Sequence, residues 1–163
     1  MNSMKEEFIG ILKNYQGILH KVNLIYFRNP TDREDNFQEI VYQLWKSFPS
    51  LQNKNSLGSW IYAVSINTSL LRLRNEARIE YREDPPDSID KTDILEDLSK
   101  NEHCSLLLKA IYKLNEMDKS VMLLYLEEKS YAEIAEILGI SLSNVGVRIS
   151  RAKEILIQNL KNC

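Results

Sequence analysis

Hydrophobic side chains recur at three- and four-residue steps along most of the chain, a spacing that predicts α-helices. Two such stripes come first, separated by the helix breaker Arg28-Asn29-Pro30. The first stripe consists of Phe8, Ile11, Leu12, Tyr15, Ile18, Leu19, Val22 and Ile25. The second consists of Phe37, Ile40, Val41, Leu44, Trp45 and Phe48. We expect its helix to begin near Thr31 or Asp32, whose short polar side chains can cap exposed amides.

A polar stretch containing Pro49 and residues 52–59 predicts a loop before a third helix. The apolar stripe of that helix consists of Trp60, Ile61, Val64, Thr68 and Leu71. Its second half is basic and carries Arg72, Arg74, Arg78 and Arg82. Three helices of this length are sufficient to close a small bundle.

The composition changes sharply after residue 82, where acidic residues replace the apolar stripe and Pro85-Pro86 excludes a continuous helix. We therefore predict a flexible acidic linker over residues 83–99, between a helical domain of residues 1–82 and a second one of residues 100–163. Two short helices of the second domain are marked by Leu107, Ile111, Leu114, Val121, Leu124 and Tyr125. The predicted fold class is all-α.

Residues 131–156 have the spacing of a helix-turn-helix. A short amphipathic helix runs into Gly139, which can adopt the left-handed backbone that ends a helix, and Ser141 can cap the next helix. The buried face of that helix would be Val145, Ile149, Ala152 and Leu156, and its polar side carries Ser143, Asn144, Arg148, Arg151 and Lys153. These side chains suit base edges and phosphates, although a plain helical hairpin with a solvated charged face gives the same pattern.

Composition and charge indicate how the protein could bind DNA, where it is located and whether it holds a metal. The formal net charge of −2 and the pI near 5.8 count against coating of nucleic acid by bulk positive charge, so local basic faces must make any DNA contact. The sequence contains no apolar stretch long enough to span a bilayer and no signal-peptide core, which predicts a cytoplasmic location. Cys104 and Cys163 lack the spacing of a zinc site. We expect no metal and no cofactor.

The chain resembles the extracytoplasmic-function sigma factors, the smallest class of the bacterial sigma-70 family. Residues 32–46, which end in Leu44-Trp45, are similar to region 2.2 of that family. The resemblance implies that this helix docks on the clamp helices of the β′ subunit of core RNA polymerase. The implied contacts are Asp35, Gln38, Glu39, Leu44 and Trp45.

Residues 60–67 resemble the family's Trp- and Asn-containing stretch that melts and reads the −10 promoter element. In the family, the preceding loop captures a base flipped from the non-template strand, at a cost of a few kcal/mol of stacking. The implied DNA contacts are Asn55, Ser56, Trp60, Asn67, Arg72, Arg74 and Arg78, together with other residues of 53–59. Trp60 as plain core and the arginines as a solvated face are the alternatives.

Residues 130–156 look like region 4.2, which places its second helix in the major groove at the −35 element. The implied contacts there are Ser141, Ser143, Asn144, Arg148, Arg151 and Lys153. Residues 106–125 resemble region 4.1, which holds the tip of the β flap. Gly146 stands where the family often has Lys, and Leu71 where it often has Asp. The family also implies an anti-sigma factor as a partner.

Three other functions compete with this interpretation. An enzyme would need a site, but Asp32, Glu34, Asp35 and Glu39 cluster at a helix start, where the helix dipole explains them. A transcriptional regulator that binds an operator as a dimer could carry the same helix-turn-helix. It would need a sensor domain in place of residues 32–74. A helical protein that binds polymerase without reading DNA is the third, and it would be insensitive to substitution of Asn144 and Arg148.

Overall fold

The computed structural model describes residues 2–52, 54–82 and 102–161. Over these ranges the regular structure is helical, as the sequence predicts, and the chain divides into two compact units. The first unit contains residues up to 24 and those from 31 to 82, and the second contains residues 25–30 and 102–161. The predicted linker, 83–99, and Asn53 lie outside the described residues, so the domain boundaries stay a prediction.

Three long helices build the first unit: α1 (Asn2–Tyr26), α2 (Pro30–Ser47) and α3 (Leu57–Arg82). Two short 3₁₀ turns, Phe48–Ser50 and Lys54–Ser56, connect α2 to α3. The apolar stripes of the three helices meet in one core, which contains Phe8, Leu19, Ile40, Leu44, Phe48 and Ile61. The periodicity of the first two stripes is therefore confirmed, since both supply core residues.

Two helix starts differ from the prediction. Helix α2 begins at Pro30, ahead of Thr31, because the fixed φ of proline suits the first helical position and the amide it lacks would have no partner there. Helix α3 begins at Leu57, so Gly58 and Ser59 belong to its first turn instead of to the loop. The first-turn amides of a helix have no partner within it, so a polar Gly-Ser pair is tolerated at this point.

The buried face of α3 also differs from its predicted stripe. Leu71 is 58% exposed, whereas Ser65 and Ser69 are fully buried. Asn36 of α2, also fully buried, donates from Nδ2 to Asn23 Oδ1 of α1 at 2.6 Å and to Ser69 Oγ at 2.9 Å. Ser69 Oγ in turn donates to the Ser65 carbonyl at 2.7 Å. A polar cluster therefore joins the three helices inside the first unit.

The second unit contains four helices among the described residues: α4 (Glu102–Tyr112), α5 (Glu116–Leu126), α6 (Tyr131–Leu138) and α7 (Leu142–Lys161). Helix α7 packs against each of the other three. The predicted buried face of α7 is confirmed, since Val145, Ile149, Ala152 and Leu156 are at most 6% exposed. Apolar side chains of the other three helices are buried as well, among them Leu108, Ile111, Val121, Leu124, Ile134 and Ile137.

Helices α6 and α7 form the predicted helix-turn-helix. Gly139 ends α6 in the left-handed conformation, with φ 67° and ψ 35°, and its amide donates to the Ala135 carbonyl. Helix α6 opens with a capping box in which Ser130 and Glu133 satisfy each other's backbone amides. Ser141 caps α7 as predicted, because its Oγ accepts from the Asn144 amide at 3.1 Å. Of the helices described, none combines the length and apolar character needed to cross a membrane.

Candidate polymerase and promoter surfaces

The outer face of α2 presents the polar residues of the predicted docking motif. Gln38 and Glu39 are exposed, and the side chain of Asp35 is 55% exposed. Glu39 Oε1 accepts a hydrogen bond from Gln43 Nε2 one turn later, at 3.0 Å. These side chains point away from the core because Asn36, Ile40 and Leu44, on the opposite face of the helix, fill it.

The apolar end of the same motif is split between core and surface. Leu44 is 1% exposed and belongs to the core, so its side chain is not on the surface of the first unit and packing is the role that the structure gives it. Trp45 is 41% exposed and its ring lies 5.0 Å from that of Phe8. Together with Ile9 of α1 and Tyr42 of α2, Trp45 lines a shallow apolar groove next to Gln38. The groove extends the polar face of α2 with a hydrophobic surface.

Arg72, the first of the basic residues on α3, contacts the acidic start of α2. Its Nη2 lies 3.7 Å from Asp32 Oδ1 and 3.8 Å from Asp35 Oδ2, and its Nε donates to Glu76 at 3.1 Å. The side chain is only 25% exposed. Three carboxylates around one guanidinium compete with phosphate for its donors. The structure therefore gives Arg72 a role inside the first unit, unlike Arg74 and Arg78, which are exposed.

The other residues predicted to bind the −10 element lie at the start of α3 and along it. Asn55 and Ser56 are exposed in the second 3₁₀ turn. Trp60 is partly buried against the core, with its ring centroid 6.3 Å from that of Phe48, which favours the packing role for it. Asn67 is exposed in a groove whose lining residues come from α2 and α3, among them Gln43 and Leu71.

Arg148, predicted to read a base, faces the inside of the second unit. Its Nη1 donates to Asp118 Oδ1 on α5 at 2.9 Å. Asp118 is 6% exposed, and its other oxygen accepts from Asn115 Nδ2 at 3.0 Å. Because a buried carboxylate needs a charged partner, this pair ties α7 to the start of α5. The pair gives Arg148 a packing role within the second unit, and its contact with DNA stays a prediction.

Lys153 also contacts a residue of its own unit. Its Nζ lies 4.4 Å from the centre of the Tyr125 ring, within the range of a cation–π interaction. A hydrogen bond to Tyr125 raises the pKa of Lys153 above its usual value, so the ammonium group stays charged. Ser143 and Arg151 are exposed and Asn144 is half-buried near the N-terminus of α7. Contact of these three residues with DNA stays a prediction.

Comparison with known families matches both units separately. The model described as Sigma-70 region 2 matches residues 11–79, and the model described as Sigma-70, region 4, matches residues 104–156. Named relatives extend over nearly the whole chain. RNA polymerase sigma factor SigV of Bacillus subtilis is 24% identical, with 93% of this chain and 90% of the relative covered. The chain belongs to the extracytoplasmic-function group of the sigma-70 family.

Further relatives of this sigma factor agree with that assignment. ECF RNA polymerase sigma factor SigW of Bacillus subtilis is 24% identical and covers 97% of the chain and 91% of its own length. The ECF RNA polymerase sigma-E factor of Haemophilus influenzae is 26% identical, over 93% and 86%. A solved structure of the sigma factor RpoE with the anti-sigma factor NepR from Bartonella quintana has a TM-score of 0.73. Its sigma chain, 20% identical over 99% of this chain and 98% of its own, has the same fold.

The chain therefore directs promoter-specific initiation of transcription as a subunit of RNA polymerase. Members of this family are DNA-binding regulatory subunits. The described residues include no group of three or more His, Cys, Asp or Glu that could hold a metal ion. The relatives do not favour the alternative function, a regulator that binds an operator. The sequence of the N-terminal half already spoke against it.

Several residues that matter to this sigma factor escaped the sequence analysis. Asp118 was not singled out, although a buried acidic residue two positions before Ser120 and three before Val121, both buried, is unusual on a core-facing helix. Asn36 and Ser69 were also missed. Asn36 lies four residues before the buried Ile40, and Ser69 lies four residues after the buried Ser65. The helical period therefore placed both on the core side of their helices.

Proposed function

We propose that α2 is the element that docks this sigma factor on the β′ clamp helices, with Gln38 and Glu39 as its main polar contacts. Their exposure, on the face of α2 opposite the core, is the observation that carries the proposal. Trp45 and the neighbouring apolar groove supply hydrophobic area beside them. An interface of polar contacts around exposed aromatic residues is typical of protein–protein recognition. Asp35 takes part as well, oriented by Arg72.

For the −10 element, we assign DNA contact to Asn67, Arg74 and Arg78 on α3 and to the turn that holds Asn55 and Ser56. All five are exposed, and the two arginines are one turn apart on the same side of the helix. Trp60 supports this surface from below through its contact with the core. Arg72 acts indirectly, because its contacts with Asp32 and Asp35 fix α3 against the docking helix.

For the −35 element, α7 enters the major groove with Ser143, Asn144 and Arg151, while α4 and α5 hold the tip of the β flap. Ser141 fixes the start of α7 through its cap. In a helix-turn-helix the N-terminal part of the second helix meets the base edges, and that part carries Ser143 and Asn144. Arg151 lies two turns after Ser143 on the same face. Each unit alone should bind DNA weakly, since polymerase holds both at the correct separation and raises their effective concentration. We propose residues 1–82 as the domain that docks and reads the −10 element, and residues 100–163 as the domain that reads the −35 element.

An anti-sigma factor is proposed as a further partner. The sigma factor in the similar solved structure is bound by the anti-sigma factor NepR. A protein of this kind would cover the apolar groove of Ile9, Tyr42 and Trp45, because that exposed surface is where the docking helix can be blocked. It would then compete with core polymerase for α2.

The test is promoter-selective transcription by the chain mixed with core RNA polymerase on a library of genomic fragments. Wild-type protein should produce discrete new start sites. The double variant Gln38→Ala and Glu39→Ala should lose them together with binding to core polymerase. A matched control is Lys13→Ala and Asn14→Ala, two exposed polar residues of α1, which should leave both unchanged. Full transcription by the Gln38 and Glu39 variant would refute the docking surface without affecting the family assignment.

A further inference from the structure

The exposed face of α7 has an apolar residue at its centre. Val147 is 52% exposed and lies two residues from the buried Val145 and two from the buried Ile149, so it points to the opposite side of the helix. Ser143 and Arg151, one turn before and one turn after, flank it on the same face. In a helix-turn-helix this is the face that meets base edges.

Two charged residues near Val147 are directed elsewhere, whereas Arg151 stays on its exposed face. Arg148 is paired with Asp118, and Lys153 lies over the Tyr125 ring. Gly146 has no side chain, and a Cβ at that position would have only ordinary contact with the Tyr131 ring, at 3.9 Å. No long side chain at position 146 therefore stands between Val147 and an approaching base edge. The middle of the recognition surface is short and apolar.

A valine side chain offers a base neither a donor nor an acceptor. In the major groove, the apolar feature among the four bases is the C5 methyl group of thymine. A valine placed against the donor or acceptor of another base would strip its hydration without replacing the hydrogen bond, which is unfavourable. Against a thymine methyl, the same side chain buries apolar surface on both partners. Of the four bases, thymine is therefore the one that an exposed valine on this face complements.

We propose that Val147 contacts the C5 methyl group of one thymine in the −35 element and makes that position thymine-specific. This inference rests on the proposed entry of α7 into the major groove. It adds a determinant of promoter sequence that the polar residues Ser143, Asn144 and Arg151 do not supply. The methyl contact is local, so it concerns one base pair and leaves readout of the remaining element to those residues.

The experiment uses holoenzyme, formed from the full chain and core polymerase, on a promoter recovered from a library with randomised −35 positions. Each thymine of the recovered element is replaced in turn by deoxyuridine, which removes the methyl group and keeps base pairing. At one position this replacement should weaken open-complex formation about fourfold, the value expected for one buried methyl group. The variant Val147→Ala should lose most of this difference between thymine and deoxyuridine.

The control is Ile157→Ala, which removes another exposed aliphatic side chain of α7, 53% exposed and more than two turns further along. It should keep the deoxyuridine effect. Selection with Val147→Ala should also relax the thymine preference at that one position alone. Equal use of thymine and deoxyuridine at every position, an unchanged effect in Val147→Ala, or a −35 element without thymine would overturn the inference. Failure to recover any promoter would instead refute the proposed function.

Discussion

The two units use their polar residues differently. In the first unit, α2 keeps binding and packing on separate faces. Its outer face carries Gln38 and Glu39, and its inner face carries Ile40 and Leu44. In the second unit, Arg148 lies on the predicted recognition helix and yet pairs with Asp118 inside the unit. The first unit also has charged contacts between helices, those of Arg72 with Asp32 and Asp35, but they leave Gln38 and Glu39 at the surface. In the second unit the charged contact involves the predicted recognition helix itself, so stability and DNA recognition are coupled there.

The largest effect should come from the first unit. Leu44→Ala should destabilise α1–α3 by about 3 kcal/mol, because a fully buried leucine leaves a cavity when truncated. Native-state hydrogen exchange with mass spectrometry on the full chain would report this as lost protection in those helices. Gln38→Ala and Glu39→Ala, as the control, should change protection by no more than about 0.5 kcal/mol. Loss of polymerase binding by Leu44→Ala with protection intact would restore Leu44 as a contact.

A substitution in the second unit should have a smaller effect on stability but should also weaken DNA recognition. Asp118→Ala should destabilise α4–α7 by about 2 kcal/mol, less than a fully buried pair would lose because the Arg148 side chain is 25% exposed. Recognition of the −35 element should fall with it. Hydrogen exchange would measure the loss of stability. The loss of recognition would appear as a smaller difference in transcription between promoters with an intact and a mutated −35 element.

A double variant separates packing from DNA contact at this pair. Adding Arg148→Met to Asp118→Ala should recover much of the lost stability, because neither position then leaves an unpaired charge at this site. If Arg148→Met alone abolished −35 recognition while α4–α7 kept their protection, Arg148 would be a DNA contact and the contrast between the units would disappear.

The smallest effect should come from the capping box at the start of α6. Hydrogen bonds from Ser130 lower the pKa of Glu133 below its usual value of 4.5. The folded form thus favours the ionised carboxyl. The stabilisation is complete above the usual pKa and is lost as the pH falls through the lowered one.

NMR titration of the Glu133 carboxyl should show the lowered pKa, and Ser130→Ala should return it towards 4.5. Glu133→Gln keeps an acceptor for the Ser130 amide but cannot ionise, so the pH dependence of α6 stability in this range should be reduced. An unchanged Glu133 pKa in Ser130→Ala would show that the capping box is not its cause.

Periodicity determined the helices, the helix-turn-helix and its buried face, since these depend on local spacing and on residues such as Gly139 that favour one backbone conformation. The family resemblance was likewise carried by short segments. Tertiary structure decided which motif residues face inwards. Leu44 and Trp45 are adjacent in sequence, yet one fills the core and the other is partly exposed.

Sequence by itself therefore determined what this protein is, and only tertiary structure decided the partners of its polar residues. Asn36 meets Asn23 and Ser69 across three helices, and Arg148 meets Asp118, 30 positions away in the chain. Hydrogen bonds and ion pairs act over a few ångströms. The pairing of a side chain therefore depends on how helices pack, which no local pattern encodes, and polar residues on one helix face can serve either packing or binding.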